Sequence, residues 1–154
     1  MRRLAALLVL LSAPAALAAG PTPPRAPAPI VKGYRTTPPP AWVETRKGSL
    51  WLAYASFCWT APAEYPGEAD PVCKDYPAPA TRTDLPAIVL RRGELVHLQL
   101  GFVPQRLTLT IRGRTYELAH AERTVWRAQR AGVAVLAGKT GVGFARYAAR
   151  FELR

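Results

Sequence analysis

Apolar and polar side chains alternate along much of the C-terminal part of this chain. Leu107, Leu109 and Ile111 occupy every second position of the segment 106–112, and Arg and Thr residues fill the positions between them. The segments 94–100 and 145–152 repeat this alternation. A period of two places successive side chains on opposite faces of a β-strand, whereas a helix would need a period near 3.6. The pattern therefore predicts sheets with one buried face and one exposed face.

Other segments extend this prediction to a whole domain. The stretch 49–59 is aromatic-rich and continuously apolar, which favours a strand covered on both faces. Shorter strands are predicted at 115–118, 124–129 and 132–136, and turn signals recur about every ten residues. About seven short strands at this spacing predict an all-β fold, an antiparallel β-sandwich over residues 41–154.

The N-terminus has the composition of a secretory signal peptide. Arg2 and Arg3 precede an apolar stretch over residues 4–11, and Ala16 and Ala18 fit the small-residue rule for cleavage before Ala19. The apolar stretch is shorter than the roughly 20 residues that span a bilayer. We expect residues 1–18 to be removed and the protein to be periplasmic or extracellular. An uncleaved anchor and a twin-arginine export route are the alternatives.

Residues 19–40 are predicted to be a disordered, proline-rich linker. Eight of residues 20–40 are proline, including Pro38, Pro39 and Pro40. Such a segment favours extended polyproline II structure, and a spacer is a simpler interpretation than a ligand for SH3-type domains. No later stretch of the sequence is apolar and long enough to span a membrane, so no transmembrane span is expected in the mature chain.

Two cysteines are present, Cys58 and Cys73, and export favours a disulfide between them. The spacing is not the Cys-x-x-Cys of redox centres. Closing a loop of about 15 residues is worth roughly 3 kcal/mol in the chain-entropy model. The stretch 60–86 has five acidic and two basic residues and six prolines, which interrupts the strand pattern. Most of the span between Cys58 and Cys73 is predicted to be an irregular loop held closed by the disulfide.

The chain is strongly basic, with a formal net charge of +11 and mostly arginine cations. This charge suits an anionic partner, although it also keeps a protein soluble. Five arginines are predicted on solvent-facing sides of strands and form the candidate anion-binding set: Arg106, Arg112, Arg114, Arg146 and Arg150. If their strands are neighbours, the guanidinium groups form one stripe. Nucleic acid is a less favoured partner because no exposed aromatic residues are evident for stacking on bases.

The sequence offers no catalytic, metal-binding or cofactor-binding motif. Gly138-Lys139-Thr140 lacks the upstream glycine of a phosphate-binding loop, which is replaced by Val133, and we interpret it as a hairpin turn. Only His97 and His120 are available as imidazole ligands, and neither mature serine lies in a nucleophile elbow. We therefore expect a protein that is not an enzyme and needs no cofactor.

Two parts of the domain resemble known classes of protein. The segment Ala55 to Trp59, followed by Val72-Cys73 and the strand pair at 89–100, resembles uncharacterised exported bacterial proteins that have a short disulfide loop. Val125 to Ala128, Ala131 to Val135 and the strand ending at Leu153 are similar to the closing half of bacterial immunoglobulin-like domains. The resemblance implies an immunoglobulin-like sandwich without catalytic residues, although the usual immunoglobulin bridge joins strands far apart in sequence.

These observations predict an exported binding domain of the cell envelope that contacts an anionic polymer or a protein through its arginines. The alternative is a secreted inhibitor or chaperone-like domain that works through the disulfide loop and its aromatic neighbours Trp59, Tyr65 and Tyr76. An envelope hydrolase is the third, less favoured class.

Overall fold

The computed structural model describes residues 20–32, 36–60 and 71–154, so the predicted signal peptide lies outside the described residues. The described residues contain no α-helix and one short 3-10 helix, Pro79–Thr81. They form eleven strands: β1 Trp42–Thr45, β2 Gly48–Trp51, β3 Ala53–Trp59, β4 Val72–Asp75, β5 Ala87–Leu90, β6 Leu95–Gln99, β7 Arg106–Ile111, β8 Arg114–Glu117, β9 Arg123–Arg127, β10 Gly132–Thr140 and β11 Gly143–Leu153. The predicted all-β class is confirmed.

The strands form two sheets. The smaller sheet has the order β2-β1-β6-β9, and all of its pairs are antiparallel. The larger sheet has the order β4-β3-β11-β10-β7-β8. Strand β5 pairs with the end of β11 in parallel, beyond the part of β11 that pairs with β3. The architecture is thus that of a β-sandwich, with one parallel pair in an otherwise antiparallel arrangement.

The structure has more strands than the seven that the sequence predicts. The apolar stretch 49–59 contains two strands, because the chain leaves the smaller sheet at Trp51 and enters the larger sheet at Ala53. Leu52, between them, is buried in the core. Strands β1, β4 and β5 are only four residues long, too short for an alternating pattern to stand out.

The core is formed by the alternate residues that the sequence pattern selects. Leu107, Leu109 and Ile111 are each at most 1% exposed. Aromatic rings join the two sheets: Trp126 of β9 lies with its ring centroid 5.8 Å from that of Phe151 in β11. Burial of these side chains is the main term that stabilises the fold.

The predicted disulfide is present. Cys58 and Cys73 face each other in the β3–β4 ladder, with an S–S distance of 2.02 Å. Gly143 lies opposite Trp59 in the adjacent β11, with φ at +150°. A Cβ atom there would lie 2.1 Å from the carbonyl oxygen of Cys58, so the close approach of the two strands requires glycine.

Part of the predicted linker packs against the sandwich. The hydroxyl of Tyr54 donates a hydrogen bond to the carbonyl of Pro38 at 2.7 Å, and that of Tyr147 donates to the carbonyl of Pro39 at 2.5 Å. Val31 also joins the core cluster. Buried phenol groups require acceptors, and the carbonyls of an extended segment supply them. Residues 36–40 therefore lie with the domain rather than apart from it.

Candidate anion-binding surfaces

The five predicted arginines are all exposed, but they do not form one stripe. Arg106, Arg146 and Arg150 lie on the outer face of the larger sheet. The strands that carry them, β7 and β11, are separated by β10. Arg112 lies in the β7–β8 turn. Arg114 lies opposite Ile111, whose side chain is buried, and so faces the other side of the sheet.

A groove of about 610 Å³ runs over the outer face of the larger sheet. Three cations surround it: Arg106, Lys139 and Arg146. Lys139 pairs with Arg106 across β10 and β7, and Ala137 pairs with Arg146 across β10 and β11. The strands therefore place these three side chains on one surface, although only two of the three were predicted.

The sequence pattern does not identify Lys139 as a groove cation, because Gly138-Lys139-Thr140 predicts a turn. These residues instead end β10, and the turn to β11 lies at residues 141–142. Gly138 faces inward, where a Cβ would lie only 3.0 Å from the ring of Phe102. The glycine serves the packing of an aromatic ring, and the interpretation as a turn was wrong.

Two of the three groove cations already interact with neighbouring side chains. Arg106 forms an exposed ion pair with Glu117 on β8 at 2.6 Å, and this contact lowers the pKa of the Glu117 carboxyl. The guanidinium of Arg146 lies 5.8 Å from the ring centroid of Phe144. The ion pair thus compensates part of the groove's positive charge, whereas the ring contact leaves the charge of Arg146 in place.

A denser group of cations lies at one end of the sandwich, which we call the basic end. Four turns and the end of β11 meet there, and each carries Arg or Lys. The cations are Arg46 and Lys47 in the β1–β2 turn, Arg91 and Arg92 in the β5–β6 turn, Arg112 and Arg114 around the β7–β8 turn, Arg127 and Arg130 around the β9–β10 turn, and Arg154 after β11. None of these nine side chains forms an ion pair with a carboxylate in the described part of the chain.

The turns of the basic end are tied to one another through Glu94. Its carboxylate accepts hydrogen bonds from the backbone N–H groups of Arg91 at 2.8 Å and Arg46 at 3.1 Å. Both bonds lower the pKa of the Glu94 carboxyl, and the bond from Arg91 has the larger effect. The backbone N–H of Arg92 also donates to the carbonyl of Arg154 at 3.2 Å. Glu94 therefore holds the scaffold in place, and its charge is engaged by backbone donors.

Two cavities open between the turns of the basic end. One, of about 310 Å³, is lined by Arg92, Arg112 and Arg130 together with uncharged neighbours. The other, of about 540 Å³, is lined by Arg46, Lys47, Val89, Leu90, Arg91, Glu94 and Arg154. Each has room for an anionic group such as a phosphate, sulfate or carboxylate, which arginine contacts through two parallel N–H groups.

Local backbone geometry positions Arg112 in the smaller of these cavities. Its φ is +49° and that of Gly113 is +74°, the left-handed conformation of a two-residue hairpin turn. The side chain then lies across Gly132, where a Cβ would come within 2.9 Å of the Arg112 Cγ and Nε atoms. The absence of a side chain at Gly132, the first residue of β10, therefore leaves room for the Arg112 side chain.

The aromatic residues near the disulfide loop are less available than the alternative function requires. Trp59 is buried, and its ring centroid lies 5.0 Å from that of Phe102. The ring of Tyr76 lies near two cations, Lys74 at 5.0 Å and Arg82 at 5.5 Å. Tyr65 lies outside the described residues.

Within the described ranges, no three His, Cys, Asp or Glu side chains lie together as a metal site would require. No helix in those ranges is long and apolar enough to cross a membrane. The chain matches no protein-family model, no curated protein and no solved structure. The immunoglobulin-like assignment therefore remains a prediction.

Proposed function

We propose that this protein is an exported, non-enzymatic binding domain of the cell envelope that contacts an anionic partner through its basic end. The observation that carries the proposal is the concentration of nine Arg and Lys side chains on four adjoining turns and the end of β11. None of them forms an ion pair with a carboxylate in the described residues, although Glu94 lies among them and interacts electrostatically with Arg46 and Arg91. The disulfide supports an oxidising compartment, where such bonds persist.

The physical basis of this binding is electrostatic. Surface cations at close spacing repel one another, and a polyanion that binds them relieves this repulsion and releases the counterions condensed along its own chain. Arginine predominates in the cluster and suits oxyanions, because its planar guanidinium forms two parallel hydrogen bonds. Two adjacent cavities favour a polymer with repeated anionic groups over a single small ion.

The test is the salt dependence of binding to a model polyanion, a short DNA duplex. Three cations of the smaller cavity are replaced together in the variant Arg92→Gln/Arg112→Gln/Arg130→Gln. The slope of log K against log salt should fall in magnitude by about 2.7, since each phosphate contact on B-DNA contributes about 0.9.

A matched control removes the same number of charges from the groove, in the variant Arg106→Gln/Lys139→Gln/Arg146→Gln. Its slope should change by less than about 1, the value of a single contact. Equal slopes in the two variants would show that only net charge matters, and a larger loss in the groove variant would move the contact to the larger sheet. Either result would refute the assignment of the basic end.

A further inference from the structure

The outer face of the smaller sheet carries buried polar atoms that have no hydrogen-bond partner. Five such side-chain atoms occur in the described part of the chain, and four of them lie on this face: Trp42 Nε1, His97 Nδ1, Gln99 Oε1 and Arg123 Nε. A buried donor or acceptor without a partner destabilises a fold, because it has lost its hydrogen bond to water and gained none in return. Native structures satisfy most such groups, so a cluster of four requires a physical explanation.

Strand register places these groups side by side. Trp42 lies opposite Gln99, which in turn lies opposite Arg123, in one row across β1, β6 and β9. Glu44 and His97 form the next row on the same face. Neighbouring strands are about 4.8 Å apart, so the row of three spans about 10 Å, the length of a few residues of extended peptide.

The chain's own proline-rich segment, residues 20–32, is bound at the β2 edge of this face. The hydroxyl of Ser49 donates to the carbonyl of Thr22 at 2.6 Å, and the indole Nε1 of Trp51 donates to the carbonyl of Ala26 at 2.7 Å. An extended proline-rich segment has no internal hydrogen bonds, so its carbonyls are free to accept. Aromatic-lined surfaces that bind such segments are an established mode of peptide recognition.

The segment forms a hydrogen bond with only one of the two indole groups on this face. The rings of Trp42 and Trp51 form an edge-to-face pair with centroids 5.4 Å apart, but only Trp51 has an acceptor for its indole N–H. Trp42 Nε1 and Gln99 Oε1 are themselves buried, so a second peptide could place a carbonyl or a donor against them only after the groups that cover them move aside.

We infer that the outer face of the smaller sheet is a binding surface for extended proline-rich peptides, and that residues 20–32 occupy it as an intramolecular ligand. A tethered ligand acts at an effective concentration in the millimolar range. The tethered segment competes with a free peptide. The apparent affinity for the free peptide is therefore the intrinsic affinity multiplied by the fraction of molecules in which the face is unoccupied. Weakening the tethered segment should therefore expose the site to a peptide in solution.

The first experiment tests whether Trp51 holds the segment, in the full chain with single substitutions. Trp51→Phe removes the bonded indole N–H, whereas Trp42→Phe removes the unbonded one from the same ring pair. Tryptic cleavage after Arg25 should become about threefold to tenfold faster in Trp51→Phe, because the loss of one hydrogen bond shifts the docking equilibrium of the segment by about this factor. The cleavage rate should stay unchanged in Trp42→Phe. Equal cleavage rates in the two variants would overturn the inference.

The second experiment tests binding of a separate peptide. In the full chain, glycine replaces Pro23, Pro24, Pro27 and Pro29, which makes the free segment more flexible and its docking less favourable. A synthetic peptide with the wild-type sequence of residues 20–32 is titrated, with binding followed by calorimetry. The glycine variant should bind this peptide at least tenfold more tightly than the wild-type chain.

Adding Trp51→Phe to the glycine variant should lower its affinity for the peptide about threefold to tenfold. Adding Thr108→Ala, on the opposite sheet, should leave its affinity unchanged. Circular dichroism of each variant establishes that the sheets are intact. The inference fails if the glycine variant binds no more tightly than the wild type, or if Trp51→Phe leaves the affinity of the folded variant unchanged.

Discussion

Replacing Tyr54 and Tyr147 by phenylalanine should abolish a specific loss of stability at high pH. Their ring centroids lie 5.4 Å apart, and their hydroxyls donate to the carbonyls of Pro38 and Pro39. Burial, with a smaller contribution from Tyr76, raises the pKa of Tyr54 to about 12. Burial, and to a lesser extent Tyr54, also raises the pKa of Tyr147.

The sign and size of the effect follow from proton linkage. An unfolded tyrosine loses its proton near pH 10, whereas folded Tyr54 keeps its proton until about pH 12. The folded state binds more protons between these values, so stability falls as the pH rises through this window. Two pKa units correspond to about 2.7 kcal/mol, and partial screening by solvent reduces this to about 2 kcal/mol for Tyr54. The raised pKa of Tyr147 adds a loss of the same sign.

Urea unfolding at pH 7 and pH 11.5, followed by tryptophan fluorescence, measures the effect. The wild type should lose about 2 kcal/mol or more between these pH values, beyond whatever the double Tyr→Phe variant loses. At pH 7 the double variant should be less stable by about 1 kcal/mol for each lost hydrogen bond. Tyr116→Phe is the control, because the buried hydroxyl of Tyr116 has no partner, and its removal should not lower stability at pH 7. Equal alkaline losses in the wild type and the double variant would show that Tyr54 and Tyr147 do not cause the loss of stability.

Three further predictions concern single features of the fold. Replacing both Cys58 and Cys73 by serine should lower the free energy of unfolding by about 3 kcal/mol, as measured by urea titration, and an unchanged midpoint would contradict it. Gly143→Ala forces a methyl group onto the Cys58 carbonyl, so thermal unfolding should show a loss of about 2–4 kcal/mol, whereas Gly20→Ala, which has open space, should be neutral. The pKa of the Glu94 carboxyl is lowered in the folded state, so its contribution to stability is complete above the unfolded pKa of glutamate and is lost as the pH falls below that value. In urea titrations, Glu94→Gln should therefore lose less stability than the wild type as the solution is acidified.

Much of the fold was accessible from the sequence because burial follows a period of two. The alternation at 106–112 identified its buried residues correctly, and the expectation of export, together with a cysteine spacing unlike that of redox centres, predicted the disulfide. The division of the stretch 49–59 into two strands at Leu52 could not be predicted, because a continuous apolar sequence has the same pattern whether it forms one strand or crosses between two sheets.

The candidate site was accessible only in part. Alternation identifies which side of its own strand a residue faces, but not which strands become neighbours, so the separation of Arg106 from Arg146 by β10 could not be foreseen. The gathering of Arg46, Arg92 and Arg130 at one end depends on turns that are distant in sequence and meet only after the sheets pack. Arginine and lysine next to turn glycines are the one sequence signal that could have indicated the basic end.

The most direct test of the proposed function is to map the contact surface by NMR. A ¹⁵N-labelled sample is titrated with a heparin oligosaccharide, a soluble polyanion, and backbone amide shifts are followed. The largest changes should occur in the four turns of the basic end, at residues 46–47, 91–93, 112–114 and 129–131, with small changes along the groove at Arg106, Lys139 and Arg146. Changes concentrated in the groove, or no localised changes at any concentration, would show that the basic end is not the contact surface.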